Sequence, residues 1–137
     1  MSENIKTIEY YYSVVTDEPG RGRRLLEHLS EKSINLISFT AFPIGSGRSQ
    51  ISFIVENSEL LIEAAEDAGI NLVGPMRALM IQGRDRVGAL HDHLLRLANA
   101  GINVTAANGV IDGGGRYGFV IWVKQEDVDK AAEALKV

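Results

Sequence analysis

The sequence predicts an α+β protein made of two βαββαβ units, each an antiparallel sheet with its helices on one face. Three observations lead there. First, the chain repeats itself at a spacing of 68, the interval from Asp17 to Asp85. In that register Gly20 falls on Gly88, Leu26 on Leu94, Leu29 on Leu97, Ile34 on Ile102, Asn35 on Asn103 and Gly45 on Gly113. Gly47, Arg48, Val55 and Ala64 likewise fall on Gly115, Arg116, Val123 and Ala132. Average composition would give roughly three or four such identities over this span, so these eleven, in one order, mark a duplicated supersecondary unit. Second, the apolar period within a copy alternates between about 2 and about 3.6 in the order strand, helix, strand, strand, helix. Third, 137 residues at 45% hydrophobic and 23% charged make a globular chain, long enough for one ordinary domain or two small ones.

In the first copy, Thr7 to Val15 is rich in tyrosine and valine and reads as a strand. Asp17-Glu18-Pro19-Gly20 breaks it, and Pro19 suits the first turn of a helix, where its missing N–H goes unused. Gly22, Leu25, Leu26 and Leu29 form one stripe on a helix from about Pro19 to Lys32. Ile34 to Phe42 is a second strand, and Gly45-Ser46-Gly47 a turn. Ile51, Phe53 and Val55 alternate with polar residues in a third strand. Asn57 or Ser58 can cap a helix from Glu59 to Ala68, which Gly69 ends. Ile70 to Val73 is a short closing strand, stopped by Gly74-Pro75.

The second copy runs in parallel. Arg77 to Gln82 is its first strand; a helix carries Leu90, Leu94 and Leu97 on one side and ends at Gly101. Ile102 to Ile111 and Tyr117 to Lys124 form a hairpin around Gly113-Gly114-Gly115, and Val128, Ala131, Ala132 and Leu135 stripe the last helix. Spacing puts one domain at residues 1–74 and the other at 75–137, the latter lacking a counterpart of Ile70–Val73. The N-terminal stretch Asn4–Glu9 or another subunit is expected to fill that place. The sheet faces away from the helices carry Ser52, Ile54, Val120 and Trp122, a partly apolar set that calls for a cover.

A net charge of −4 argues against nucleic acid as a partner, because phosphate contacts need a basic surface. The chain has no cysteine, which excludes disulfides, thiolate metal sites and a cysteine nucleophile. The N-terminal residues do not read as a signal peptide, and no apolar run is long enough to span a membrane. A cytoplasmic protein is expected. His91 and His93 stand two apart on a helix and point away from each other, so no metal is expected there. The Gly113–Gly115 run joins strands and lacks the Lys-Ser/Thr of a phosphate loop. No residue constellation suggests catalysis, and no cofactor is implied.

The chemistry concentrates between the first strand and first helix of each copy. Asp17-x-Pro19-Gly20 and Asp85-x-x-Gly88 set an acidic residue and a glycine at a helix mouth. Helix N-termini offer free N–H groups to a carboxylate, and an aspartate beside them can take an ammonium group. On these residues, with Ser33-Ile34-Asn35-Leu36 and Gly101-Ile102-Asn103-Val104, the chain resembles a pair of ACT domains. ACT domains are small-molecule sensors attached to enzymes of amino-acid metabolism. The likeness covers about residues 8–137 and is nearest to small stand-alone bacterial two-ACT-domain proteins. It implies ferredoxin-like units, a homo-oligomer such as a dimer, and an amino-acid effector at domain or subunit interfaces. Carried over by motif, the ligand residues would be Asp17, Gly20, Asn35, Asp85, Gly88 and Asn103, with Arg21 beside Gly20. The sequence departs from the family at Val87, where proline is usual, and at Arg21, Gly22, Arg23 and Arg24, where aliphatic residues are common.

Plainer roles compete. Asp17 and Asp85 can cap helices, Asn35 and Asn103 can order the start of a strand, and Gly20 and Gly88 can serve close packing. Arg48 and Arg116 read as solvated hairpin tips, and Trp122 as sheet packing. The favoured function is a non-enzymatic amino-acid sensor. The alternative is a ligand-free module that docks on an enzyme of amino-acid metabolism.

Overall fold

The computed structural model describes residues 3–16 and 18–136, with Arg21 by its backbone alone. The elements are β1 (Asn4–Thr16), α1 (Arg21–Glu31), β2 (Leu36–Gly45), β3 (Arg48–Val55), α2 (Ser58–Asp67), β4 (Val73–Arg84), α3 (Ala89–Asn99), β5 (Val104–Ile111), β6 (Arg116–Val123) and α4 (Val128–Leu135). The repeat is visible residue for residue. Gly20 and Gly88 begin α1 and α3 in the left-handed region, at φ 85° and 81°. Each helix is followed by the same closing bond, Ile34 N–H to Leu29 O at 2.9 Å and Ile102 N–H to Leu97 O at 3.0 Å.

The chain divides into two compact units, Tyr10–Met76 and a second made of Met1–Glu9 with Arg77–Val137. In the first, the hydrogen-bonded order is β2-β3-β1-β4, with Tyr11 opposite Phe53 and Phe39 opposite Phe53. In the second, it is β1-β4-β6-β5, with Ile81 opposite Phe119 and Ile121 opposite Ala107. The strand missing from the second copy is thus supplied by Asn4–Glu9, the opening stretch of β1.

Gly74-Pro75 does not stop a strand as the sequence suggested: β4 runs through it from Val73 to Arg84. Proline is tolerated because Val73–Met76 is the outer strand of its unit, where a ladder N–H can be spared. Ile70–Leu72 lies outside regular structure.

Each unit has its own core. Leu25, Leu29, Phe53, Leu61 and Ala64 pack in the first, with Phe39 edge-on to Phe53 at 5.7 Å. Leu79, Ile81, Leu97, Ile121, Val128 and Leu135 pack in the second. Asn57 caps α2, its Oδ1 accepting from Leu60 N–H at 3.2 Å. Gln125 takes both backbone groups of Arg77, accepting at 2.8 Å and donating at 2.9 Å. The buried stripe of α3 is Ala89, His93 and Leu97, whereas Leu94 is exposed, as is its repeat mate Leu26. Ser52, Ile54, Val120 and Trp122 are all buried.

Candidate functional site

The β4–α3 loop is pinned from two sides. Asp85 N–H donates to Gly115 O at 2.8 Å, tying the loop to the β5–β6 hairpin, and Ala89 N–H donates to Arg86 O at 3.2 Å. The hairpin is itself set by Asp112, whose Oδ1 accepts from Gly114 N–H at 2.6 Å and Arg116 N–H at 3.2 Å. Those two bonds hold the Asp112 carboxyl below its ordinary range. Gly109 lets Leu90 lie against β5; a Cβ there would sit 3.0 Å from Leu90 Cδ1.

Between these parts opens a cleft of about 290 Å³, lined by Asp85, Arg86, Gly88, Ala89, Leu90, His91, Val110, Ile111 and Tyr117. Gly88 is the N-cap of α3, and no side chain caps the helix. Asp92 N–H reaches Gly88 O at 3.3 Å, but the N–H groups of Leu90 and His91 have no acceptor among the described residues. The helix mouth therefore keeps donors and a partial positive charge toward the cleft. Asp85 is exposed and does not cap α3. A Cβ on Gly88 would meet nothing within 4 Å, so its backbone angle, not close packing, calls for glycine; the same holds at Gly20.

Arg86 pairs with Asp92 at 2.7 Å, and His91 Nδ1 lies 3.5 Å from the other Asp92 oxygen. The hydrogen bond from Arg86 holds Asp92 below the usual carboxylate range. Beneath the cleft stands a group the sequence did not signal. Tyr117 is buried, and its hydroxyl donates to Glu3 Oε2. His93, 1% exposed, places Nε2 3.1 Å from the same oxygen and 3.0 Å from the hydroxyl. A carboxylate only accepts, so it is the focus of both donors. Burial pushes the Glu3 carboxyl up, but the bonds from Tyr117 and His93 outweigh it and the net direction is down. Burial, then the bond to Glu3, drives Tyr117 well above the ordinary phenol range. His93 Nδ1 has no partner among the described residues.

Of the residues expected in the site, Asp85 and Gly88 line this cleft together. Asn103 does not join them. It is exposed just before β5, at the far end of that strand from Ile111, a distance of roughly 26 Å at about 3.3 Å per residue. Asn35 is placed alike before β2, and neither asparagine side chain has a hydrogen-bond partner among the described residues. Gly20 opens α1, and Arg21 is its first residue. Asp17 lies outside the described residues, as does the Arg21 side chain. A recess in that unit, about 80 Å³, is lined by Val15, Arg24, Leu25, His28, Ile51, Ala68, Gly69 and Ile70, and not by Gly20 or Asn35. Arg86 and the aliphatic pair Val110-Ile111 were not anticipated in the cleft.

No protein-family model and no curated protein matches the chain. Solved structures do. The chain is similar to protein BT0572 from Bacteroides thetaiotaomicron, at 19% identity and TM-score 0.82, over 96% of this chain and 88% of that one. It is similar to the regulatory subunit of aspartate kinase from Thermus thermophilus, at 19% identity and TM-score 0.69, over 98% and 94%. The corresponding subunit from Thermus flavus gives 16% identity and TM-score 0.66, over 99% and 95%. The likeness is one of fold: two ferredoxin-like α+β units, the architecture expected of a pair of ACT domains.

Proposed function

We propose that this chain is a non-catalytic regulatory protein that binds an amino acid, or a close metabolite, in the cleft at the start of α3. The observation that carries the proposal is the joining of Asp85, Gly88 and the uncapped α3 mouth around one cleft of about 290 Å³. The free N–H groups suit a carboxylate and Asp85 suits an ammonium group, so both ends of a zwitterion find complementary charge. The fold shared with regulatory subunits of aspartate kinase supports a role in amino-acid metabolism. Binding regulates only if it favours one of two packing states, in this chain or in an enzyme it contacts. A cytoplasmic homodimer is the proposed assembly, which would carry the cleft twice.

The test is a thermal-shift screen of the twenty amino acids followed by calorimetry. A ligand that binds only the folded state raises Tm with concentration. Asp85→Ala should weaken binding about tenfold or more, the loss of one charge-assisted contact. Because Asp85 is exposed and uncommitted as a cap, the variant should melt as the parent does. No shift from any amino acid would sink the sensor reading. The second reading, a docking module without a ligand, has its own support: β5 pairs with β6 alone and is exposed from Thr105 to Ile111, an open edge for strand addition. It predicts silence in the screen with stable capture of an enzyme of amino-acid metabolism.

A further inference from the structure

Resting on the sensor reading above, we infer that the cleft selects α-amino acids with an aliphatic side chain over polar ones. Its polar side chains are Asp85, Arg86 and His91, and a zwitterion's own charges match Asp85, Arg86 and the α3 mouth. The rest of the lining is hydrocarbon, from Ala89, Leu90, Val110 and Ile111. The one hydroxyl in the lining, on Tyr117, is already committed to Glu3. A polar ligand side chain laid against Ala89, Leu90, Val110 and Ile111 would give up water without finding a partner, which is the penalty that enforces discrimination.

Val110 and Ile111 sharpen the argument. They are 70% and 58% exposed at the end of a strand that otherwise presents threonine, alanine, asparagine and glycine to solvent. Folding gains little from aliphatic residues there, and exposed apolar groups at a cleft mark what it holds.

Calorimetry on the full chain with valine, isoleucine, leucine, alanine, serine, asparagine and lysine tests this. The aliphatic three should bind at least about tenfold tighter than serine or asparagine. Val110→Thr keeps the side chain's shape on an exposed strand, so it should fold; it should weaken isoleucine about tenfold and leave alanine within about twofold. Equal or tighter binding of the polar amino acids would overturn the aliphatic selectivity while leaving the sensor reading intact. Binding of none of the twenty amino acids would remove both. A Val110→Thr protein with unchanged isoleucine affinity but an altered solution mass would assign Val110 to a contact between copies and overturn the inference.

Discussion

Glu3 offers the sharpest quantitative test of the fold. Its carboxylate receives the Tyr117 hydroxyl and lies 3.1 Å from His93 Nε2, while the side chain is only 25% exposed. These contacts fasten the strand segment Asn4–Glu9 to the unit it completes. Hydrogen bonds to a charged group contribute about 1.5–3 kcal/mol each. Glutamine keeps the length and its carbonyl oxygen can accept both bonds, but it carries no charge, so at about 1 kcal/mol lost per bond Glu3→Gln should lower stability by about 2 kcal/mol. For a chain of this size that is about 8 °C in Tm. Hydrogen exchange should show the loss locally, as faster exchange of the amides of residues 4–9. Acid adds a second arm. The carboxyl is depressed below its ordinary value of 4.5, so its stabilisation is complete above that pH and fades as pH falls through the folded value. The gap between parent and variant should therefore close on acidification. Tyr117, held up partly by Glu3, should ionise closer to its ordinary value of 10.0 in the variant, as followed by ultraviolet titration. Equal melting at neutral pH, with unaltered exchange at residues 4–9, would refute the reasoning.

Gly74→Ala should be strongly destabilising, by about 3 kcal/mol or more, because φ is 145° and a Cβ would sit 2.7 Å from Tyr11 Cδ2 and 3.0 Å from Tyr10 O; denaturant melts decide it. Gly88→Ala meets no atom within 4 Å, so only the left-handed backbone resists it, and a loss of about 1–2 kcal/mol is expected in the same assay. Leu97→Ala should cost about 2–5 kcal/mol, but Leu94→Ala under about 1 kcal/mol, since the first is fully buried and the second 38% exposed. Equal effects of those two would mean the buried face of α3 is misassigned.

The architecture was legible because duplication left its marks at positions that geometry enforces. Gly20 and Gly88 must hold a left-handed backbone, and Ile34 and Ile102 must close the same turn, so both pairs survive in register. The division of the strands was harder to read. Gly74-Pro75 is a break by local rules, and only the outer position of Val73–Met76 explains why β4 passes through it. Leu90, Leu94 and Leu97 looked like one stripe, but His93 takes the inward place that Leu94 seemed to own, because its ring nitrogen has Glu3 and Tyr117 to meet. No local pattern could have shown that, with Glu3 some ninety residues away. Of the cleft's lining, Asp85 and Gly88 belong to the motif, whereas Val110 and Ile111 come from a distant strand end.

The allocation of β1 has a practical corollary. Its opening half serves one lobe and its closing half the other, so one lobe is contiguous, Tyr10–Met76, whereas the other is encoded at both ends of the gene. Residues 75–137 made alone would want a strand that residues 1–74 possess. Supplying a synthetic peptide that spans residues 3–9 should restore cooperative melting to the isolated C-terminal fragment, as a missing stave restores a barrel.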